Sequence, residues 1–182
     1  MPNPEPVRAS AFHELLREQI RHEFTASQQY IAIAVYFDSD HLPNLARRFY
    51  GQAAEERSHA LMMVQYLLDR DQTVTVGGLD EVQPTFVGPR EAVEFALEQE
   101  LRVTRLITAL AQTARDTGDY LGEQFIGWFL EVQVQEIADM RTLLAVLDRT
   151  GGNMFDVEDF VARQLRVGAA AVGSRAPKPA GV

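Results

Sequence analysis

Apolar residues recur along most of this chain at alternating steps of three and four, the period of an amphipathic helix. One series runs Leu16, Ile20, Glu23, Ser27, Tyr30, Ala34 and Phe37, and a second runs Leu45, Phe49, Gln52, Glu56, His59, Met63 and Tyr66. A third is Val93, Leu97, Glu100, Thr104, Ile107 and Ala111, and a fourth is Phe125, Phe129, Val132, Glu136, Met140, Leu143 and Leu147. Each is the inward stripe of a helix packing at coiled-coil-like spacing. The helix breakers agree with this reading. Neither Pro nor Gly occurs between Pro6 and Pro43, only Gly51 interrupts the stretch from Asn44 to Gly77, and neither occurs between Arg90 and Gly118. The pattern predicts helices over 10–38, 43–71, 89–117 and 119–150, with Pro43 and Pro89 in first-turn positions. A shorter fifth helix is expected after Gly151 and Gly152, with Asn153 as its N-cap and Asp156, Glu158 and Asp159 near its positive end.

The connections decide the topology. A few residues join the first helix to the second and the third to the fourth, so each pair is an antiparallel hairpin. The second and third are joined by 72–88, which contains Gly77, Gly78 and Pro84. Helices of this size are roughly 43 Å long at 1.5 Å per residue, and the linker reaches about 56 Å when extended, enough to travel the bundle. These lengths make an all-α four-helix bundle with one long crossover and a short fifth helix. Thr73 to Val76 could pair as a strand, but a packed crossover is the simpler expectation. The expected organisation is an N-terminal extension over 1–9, a helical domain over 10–166, and a flexible Ala/Gly/Pro-rich tail over 167–182.

Four glutamates occupy slots in apolar stripes: Glu23, Glu56, Glu100 and Glu136. Counted from turn centres near Asp40 and Gly118, Glu23 and Glu56 stand at matching heights, as do Glu100 and Glu136, so all four converge near mid-bundle. Burying an ionised carboxylate costs several kcal/mol unless it is compensated. The four must be protonated, paired with a buried cation side chain, or bound to metal, and no stripe contains Arg or Lys. His59, at i+3 from Glu56, adds an imidazole on the same face. Oxygen-rich ligation with one nitrogen suits iron or manganese better than structural zinc.

Composition bears on this in two ways. The chain of 182 residues carries 26 acidic against 17 basic residues, a formal charge of -9, which argues against nucleic acid as the main partner. It has no cysteine, which excludes thiolate chemistry. No apolar run suits a membrane span, and residues 1–8 lack a signal-peptide plan, so a cytoplasmic protein is expected. Glu14, Glu18 and Asp139 read as solvated surface, and His13, His22 and His41 fall off the stripes and are expected to be exposed.

These residues resemble the ferritin family, specifically its haem-free bacterial and archaeal-type members, over nearly the whole chain apart from the termini. The likeness to the actinobacterial branch rests on Glu23-Phe24-Thr25-Ala26 followed by Gln28-Gln29-Tyr30, on Glu55-Glu56-Arg57-Ser58-His59, and on Gly122-Glu123-Gln124-Phe125. The resemblance implies a di-iron ferroxidase centre of non-haem iron. Glu23, Glu56 and His59 match its first site, Glu56, Glu100 and Glu136 its second, and Gln133, Tyr30 and Trp128 neighbouring positions. Glu55 matches a ligand of a third site, but Val132 and Gln135 stand where carboxylates are expected, so that site is weak at most. Gln133-Val134-Gln135-Glu136 lacks the second Glu-x-x-His of bacterioferritins, and the haem-binding methionine would fall near Arg57, so no haem is expected.

The resemblance also implies oxidation of Fe(II) to Fe(III) by O₂ or peroxide, with ferric mineral stored in a homo-oligomeric shell of 24 chains. Asp119 and Glu123 are the candidate acids at its entry channels. The hallmarks of DNA-protecting mini-ferritins, inter-subunit ligands and no fifth helix, do not fit, and a basic DNA-binding arm is missing as well. The tail, with Arg175 and Lys178, could dock a partner such as an enclosing shell. Two other readings stay open: a di-iron or di-manganese oxidase or peroxidase that stores nothing, and a non-catalytic storage subunit.

Overall fold

The computed structural model describes residues 10–164 and 176–181; the expected N-terminal extension and the rest of the tail lie outside the described residues. Five helices run in order: α1 (Ala11–Ser39), α2 (Pro43–Asp69), α3 (Pro89–Asp116), α4 (Tyr120–Arg149) and α5 (Met154–Gln164). The fold is the four-helix bundle with a long α2–α3 crossover and a short fifth helix that the periodicity predicts.

The helix ends have local causes. Ser10 accepts from the His13 N–H and opens α1, and Asp119 accepts from the Gly122 N–H and opens α4. At three C-termini the chain enters the left-handed region: His41 (φ 59°), Asp71 (φ 55°) and Gly118 (φ 71°). In each case the next amide reaches back five residues, Leu42 to Phe37, Gln72 to Leu67 and Asp119 to Ala114, at 2.8–2.9 Å. This is the Schellman closure, and it ends α2 at Asp69, two residues before the periodicity suggests.

The crossover is extended without forming a strand, so Thr73 to Val76 run as loop. It is strapped to α1. Gln29 donates to the Gln83 carbonyl at 2.9 Å and accepts from the Gln83 amide at 2.7 Å. Thr25 accepts from the Asp80 amide, Arg17 donates to the Thr73 carbonyl, and Arg21 pairs with Asp80 at 3.0 Å. At the far end, Val157 and Val161 of α5 are buried against the bundle, and Asn153 accepts from the Phe155 amide at 3.2 Å. Residues 176–181 lie against α2, where the Ala180 amide donates to the Leu61 carbonyl at 3.1 Å.

The core falls into two apolar halves. One gathers Tyr30, Phe37, Phe49, Ala96 and Met140, and the other Ile20, Met62, Val103 and Val132. Fully buried side chains of this kind stabilise by about 1.5–3 kcal/mol each. Between the halves, on each of the four long helices, stands one glutamate: Glu23 after Ile20, Glu56 before Met62, Glu100 between Ala96 and Val103, Glu136 between Val132 and Met140. Two dry cores therefore bracket one polar layer.

Candidate metal centre

The layer brings together all five residues that the stripes single out. Glu23, Glu56 and His59 offer ligand atoms that lie within 4.8 Å of one another, and so do Glu56, Glu100 and Glu136. Glu56 belongs to both groups, and every member is buried. Helical register explains the meeting. Glu56 and His59 share a face of α2 at i, i+3, and the His59 Nδ1 lies 3.1 Å from Glu56 Oε2.

Burial sets the electrostatics. Desolvation raises the pKa of all four glutamates, and repulsion between carboxylates adds to it at Glu23, Glu56 and Glu136. Glu23 is pushed well above the usual range, first by desolvation and then by Glu56. Glu136 is raised well above it too, by desolvation and then by Glu56 and Glu100. Glu56 rises to about 8, by desolvation and then by Glu100. Glu100 is raised less, because Tyr30 and its other hydrogen-bond donors favour its charged form. Desolvation pushes the Tyr30 hydroxyl well above its ordinary value, with Glu100 next.

A cation would relieve this. The donor set is carboxylate-rich with one imidazole, and Glu23 Oε2 is buried with no hydrogen-bond partner, so the residues fit iron or manganese.

Neighbouring side chains orient the carboxylates. The Tyr30 hydroxyl donates to Glu100 Oε1. Gln133 donates to Glu136 Oε2 at 2.5 Å and lies 3.3 Å from Glu100 Oε2, and the Thr104 hydroxyl holds its carbonyl end at 2.7 Å. The Trp128 ring sits edge-on to His59 at 5.7 Å. Glu55 falls outside both ligand groups, although its charge helps to raise Glu56 and Glu136.

Three further partners are not evident from the stripes alone. Gln19 donates to Glu23 Oε1 at 2.7 Å. Gln52 donates to Glu56 Oε1 at 3.1 Å and to Glu136 Oε1 at 3.0 Å. Arg48, only 3% exposed, donates to Gln52 Oε1 at 2.8 Å. Gln19 and Arg48 each precede a polar stripe position by four residues, and that spacing is the one sequence signal they leave.

Three residues expected at the surface need correction. His13 is buried, against the Phe12 ring and 3.7 Å from Asp119, because the start of α1 tucks beneath the α3–α4 turn. His22 is partly covered beside Asp80, while His41 is exposed as expected. Asp139 is not free surface either, since it pairs with Arg48 at 3.1 Å. Asp119 lies near Arg70 as well as His13, and Glu123 accepts from Arg115 at 2.8 Å. No helix among the described residues is long and apolar enough to cross a membrane.

Fold and centre together define a helical-bundle protein whose interior carries two adjoining groups of side chains that could each hold a metal ion. The profile of the ferritin-like domain matches residues 13–150. The chain is 57% identical over 170 residues to Ferritin BfrB of Mycolicibacterium smegmatis, covering 93% of each chain. It is 34% identical over 138 residues to the bacterial non-heme ferritin of Staphylococcus aureus, covering 76% of this chain and 83% of that one. The crystal structure of an open pore ferritin from Archaeoglobus fulgidus superposes with a TM-score of 0.83 at 26% identity, covering 88% of this chain and 99% of that chain. The chain belongs to the ferritin family, on its actinobacterial side, and that membership places it among iron-storage proteins.

Proposed function

We propose that the protein is a ferroxidase that stores iron. Two Fe(II) ions bind as substrate, one held by Glu23, Glu56 and His59 and the other by Glu56, Glu100 and Glu136. Each gives one electron to O₂ or peroxide, and the Fe(III) passes on as ferric mineral. The observation that carries this reading is the sharing of Glu56 between the two ligand groups, which makes the pair a single centre.

The chain's own residues do three things. The carboxylates supply negative charge that favours the harder Fe(III) over Fe(II). Gln19, Gln133 and Tyr30 hold Glu23, Glu136 and Glu100 in place before substrate arrives. Trp128 and Phe129 stand edge-on to His59 and wall the centre on that side. Glu55 stands close enough to bias ion traffic by its charge.

Storage requires a shell, and α5 supports a 24-chain cage. It packs on the bundle through Val157 and Val161 yet leaves Phe155 88% exposed, a side chain suited to burial against another copy. The test is to add Fe(II) to the metal-stripped protein in air, following oxidation by absorbance and particle size by light scattering. The expected result is fast oxidation, soluble iron far above two ions per chain, and a large hollow particle. Glu56→Ala should remove the fast phase while the particle still assembles. Unchanged rates in that variant would overturn the assignment of Glu56 as the shared ligand, and fast oxidation without retained iron would favour an oxidase that stores nothing.

A further inference from the structure

We infer that Arg48 and Gln52 form a positioning relay that sets the second metal position of the centre. The relay rests on the metal-centre reading and extends it to residues that touch no metal.

The geometry is specific to one orientation of one amide. Gln52 is fully buried on α2, and its Nε2 donates to Glu56 Oε1 and to Glu136 Oε1, at 3.1 and 3.0 Å. An amide has two N–H donors, and both are used on carboxylates from different helices. Flipped by 180°, the same amide would point its carbonyl oxygen at two carboxylates. Arg48 prevents that by donating from Nη1 to Gln52 Oε1 at 2.8 Å.

Arg48 is itself anchored. Its Nη2 donates to Asp139 Oδ2 at 3.1 Å, and Gln135 donates to the other oxygen of Asp139 at 2.6 Å. The relay thus begins on the half-buried edge of α4, crosses to α2, and ends on the two glutamates of the second ligand group. Both glutamates keep their second oxygens for other contacts, Glu56 Oε2 towards His59 and Glu136 Oε2 towards Gln133.

A guanidinium nine-tenths or more buried is costly unless it is paired and hydrogen-bonded. Here one of its N–H groups donates to a neutral amide, a contact that contributes little to stability by itself. Its consequence is to fix the amide, which holds Glu56 and Glu136 at a set separation before the ion arrives. Of the first ligand group the Gln52 amide reaches only the shared Glu56, whereas of the second it reaches both Glu56 and Glu136, so the relay acts more strongly on the second position than on the first. Outer-sphere partners of this kind alter metal affinity by about 10–100-fold.

The test uses Co(II), which reports its ligands by visible absorption and undergoes no oxidation under anaerobic conditions, titrated into the metal-stripped, assembled protein. The wild type is expected to bind two ions per chain. Arg48→Met should weaken the second ion by about 10–100-fold and the first, which shares only Glu56 with the relay, distinctly less. Arg48→Lys, which keeps a donor and the charge, should restore most of the loss. Gln52→Met should match Arg48→Met, and the double variant should lose no more than either alone. Should Arg48→Met fail to assemble, Gln52→Met reads the same relay with Arg48 in place. The inference is overturned if both ions bind unchanged in Arg48→Met while only its melting temperature falls, or if both weaken equally. Failure of the wild type to bind two Co(II) would instead overturn the metal-centre reading, and the relay with it.

Discussion

The Tyr30 hydroxyl on α1 donates to Glu100 Oε1 on α3, deep inside the bundle. Tyr30 has no exposed surface and stacks on Phe49 with ring centres 5.9 Å apart, so the ring is held by packing and the hydroxyl is free to serve the carboxylate. Tyr30→Phe keeps the ring and removes only the donor. Glu100 then retains Gln133 at 3.3 Å. We expect Fe(II) oxidation to slow by about 10-fold and the fold to lose about 1–3 kcal/mol. Stopped-flow absorbance and thermal melting measure the two. A variant that melts lower but oxidises iron at the wild-type rate would confine the hydroxyl to a structural role.

Metal binding should release protons. Glu56 is raised to about 8, and Glu23, Glu100 and Glu136 are raised as well, so the metal-free layer holds protons at neutral pH that ordinary glutamates would have lost. A divalent ion needs the carboxylates ionised and must displace those protons. The sign is therefore fixed: affinity weakens as pH falls, with Glu56 taking up its proton near 8 and Glu23 and Glu136, raised well above the usual range, adding to the same trend. A pH-stat titration with Co(II) should record proton release near neutrality that shrinks at higher pH. Metal affinity independent of pH between about 6 and 8 would contradict raised carboxylate pKa values as the state of the empty layer.

The stripes made the helices and the convergence of four glutamates legible, because a step of three or four along α1 to α4 maps directly onto one face. Matching heights across two turns did the rest. Less of the surrounding network could be read. Gln52 sits in a stripe and passes for core, while Arg48 sits beside one and passes for surface; only the three-dimensional path to Asp139 reveals why either is there. His13 misled for a similar reason. Its position is off the α1 stripe, but α4 begins directly above it, and a contact between chain segments 106 residues apart leaves no periodic trace.

Glu158 on α5 caps the start of α2. Leu42 precedes that helix and offers no side-chain acceptor, and the Glu158 carboxylate takes the Asn44 amide at 2.9 Å and the Leu45 amide at 2.8 Å instead. Its charge also faces the positive end of the helix. Glu158→Ala should cost about 1–2 kcal/mol, and Glu158→Gln, which keeps an acceptor without the charge, should cost less. Denaturant melts of the protein separate these values. Equal stability of all three proteins would mean that water satisfies those amides as well as the carboxylate does.

Two glycines within α4 predict opposite responses to the same substitution. Alanine is favoured over glycine in a helix interior by about 1 kcal/mol, so in open space the exchange should stabilise. A Cβ on Gly127 would meet nothing within 4 Å, and Gly127→Ala should gain up to that amount. A Cβ on Gly122 would stand 2.7 Å from Phe12 Cε1 and 3.0 Å from the Asp119 carboxyl carbon. Phe12 is fully buried and set edge-on to Tyr66 at 6.2 Å, so its ring has little room to retreat. Overpacking of this kind costs about 1–3 kcal/mol, and it also presses on the carboxylate that caps α4. Gly122→Ala should therefore lower the melting temperature despite the better helix propensity. If both substitutions raise it, the close approach of α1 to the start of α4 is not what reserves position 122 for glycine.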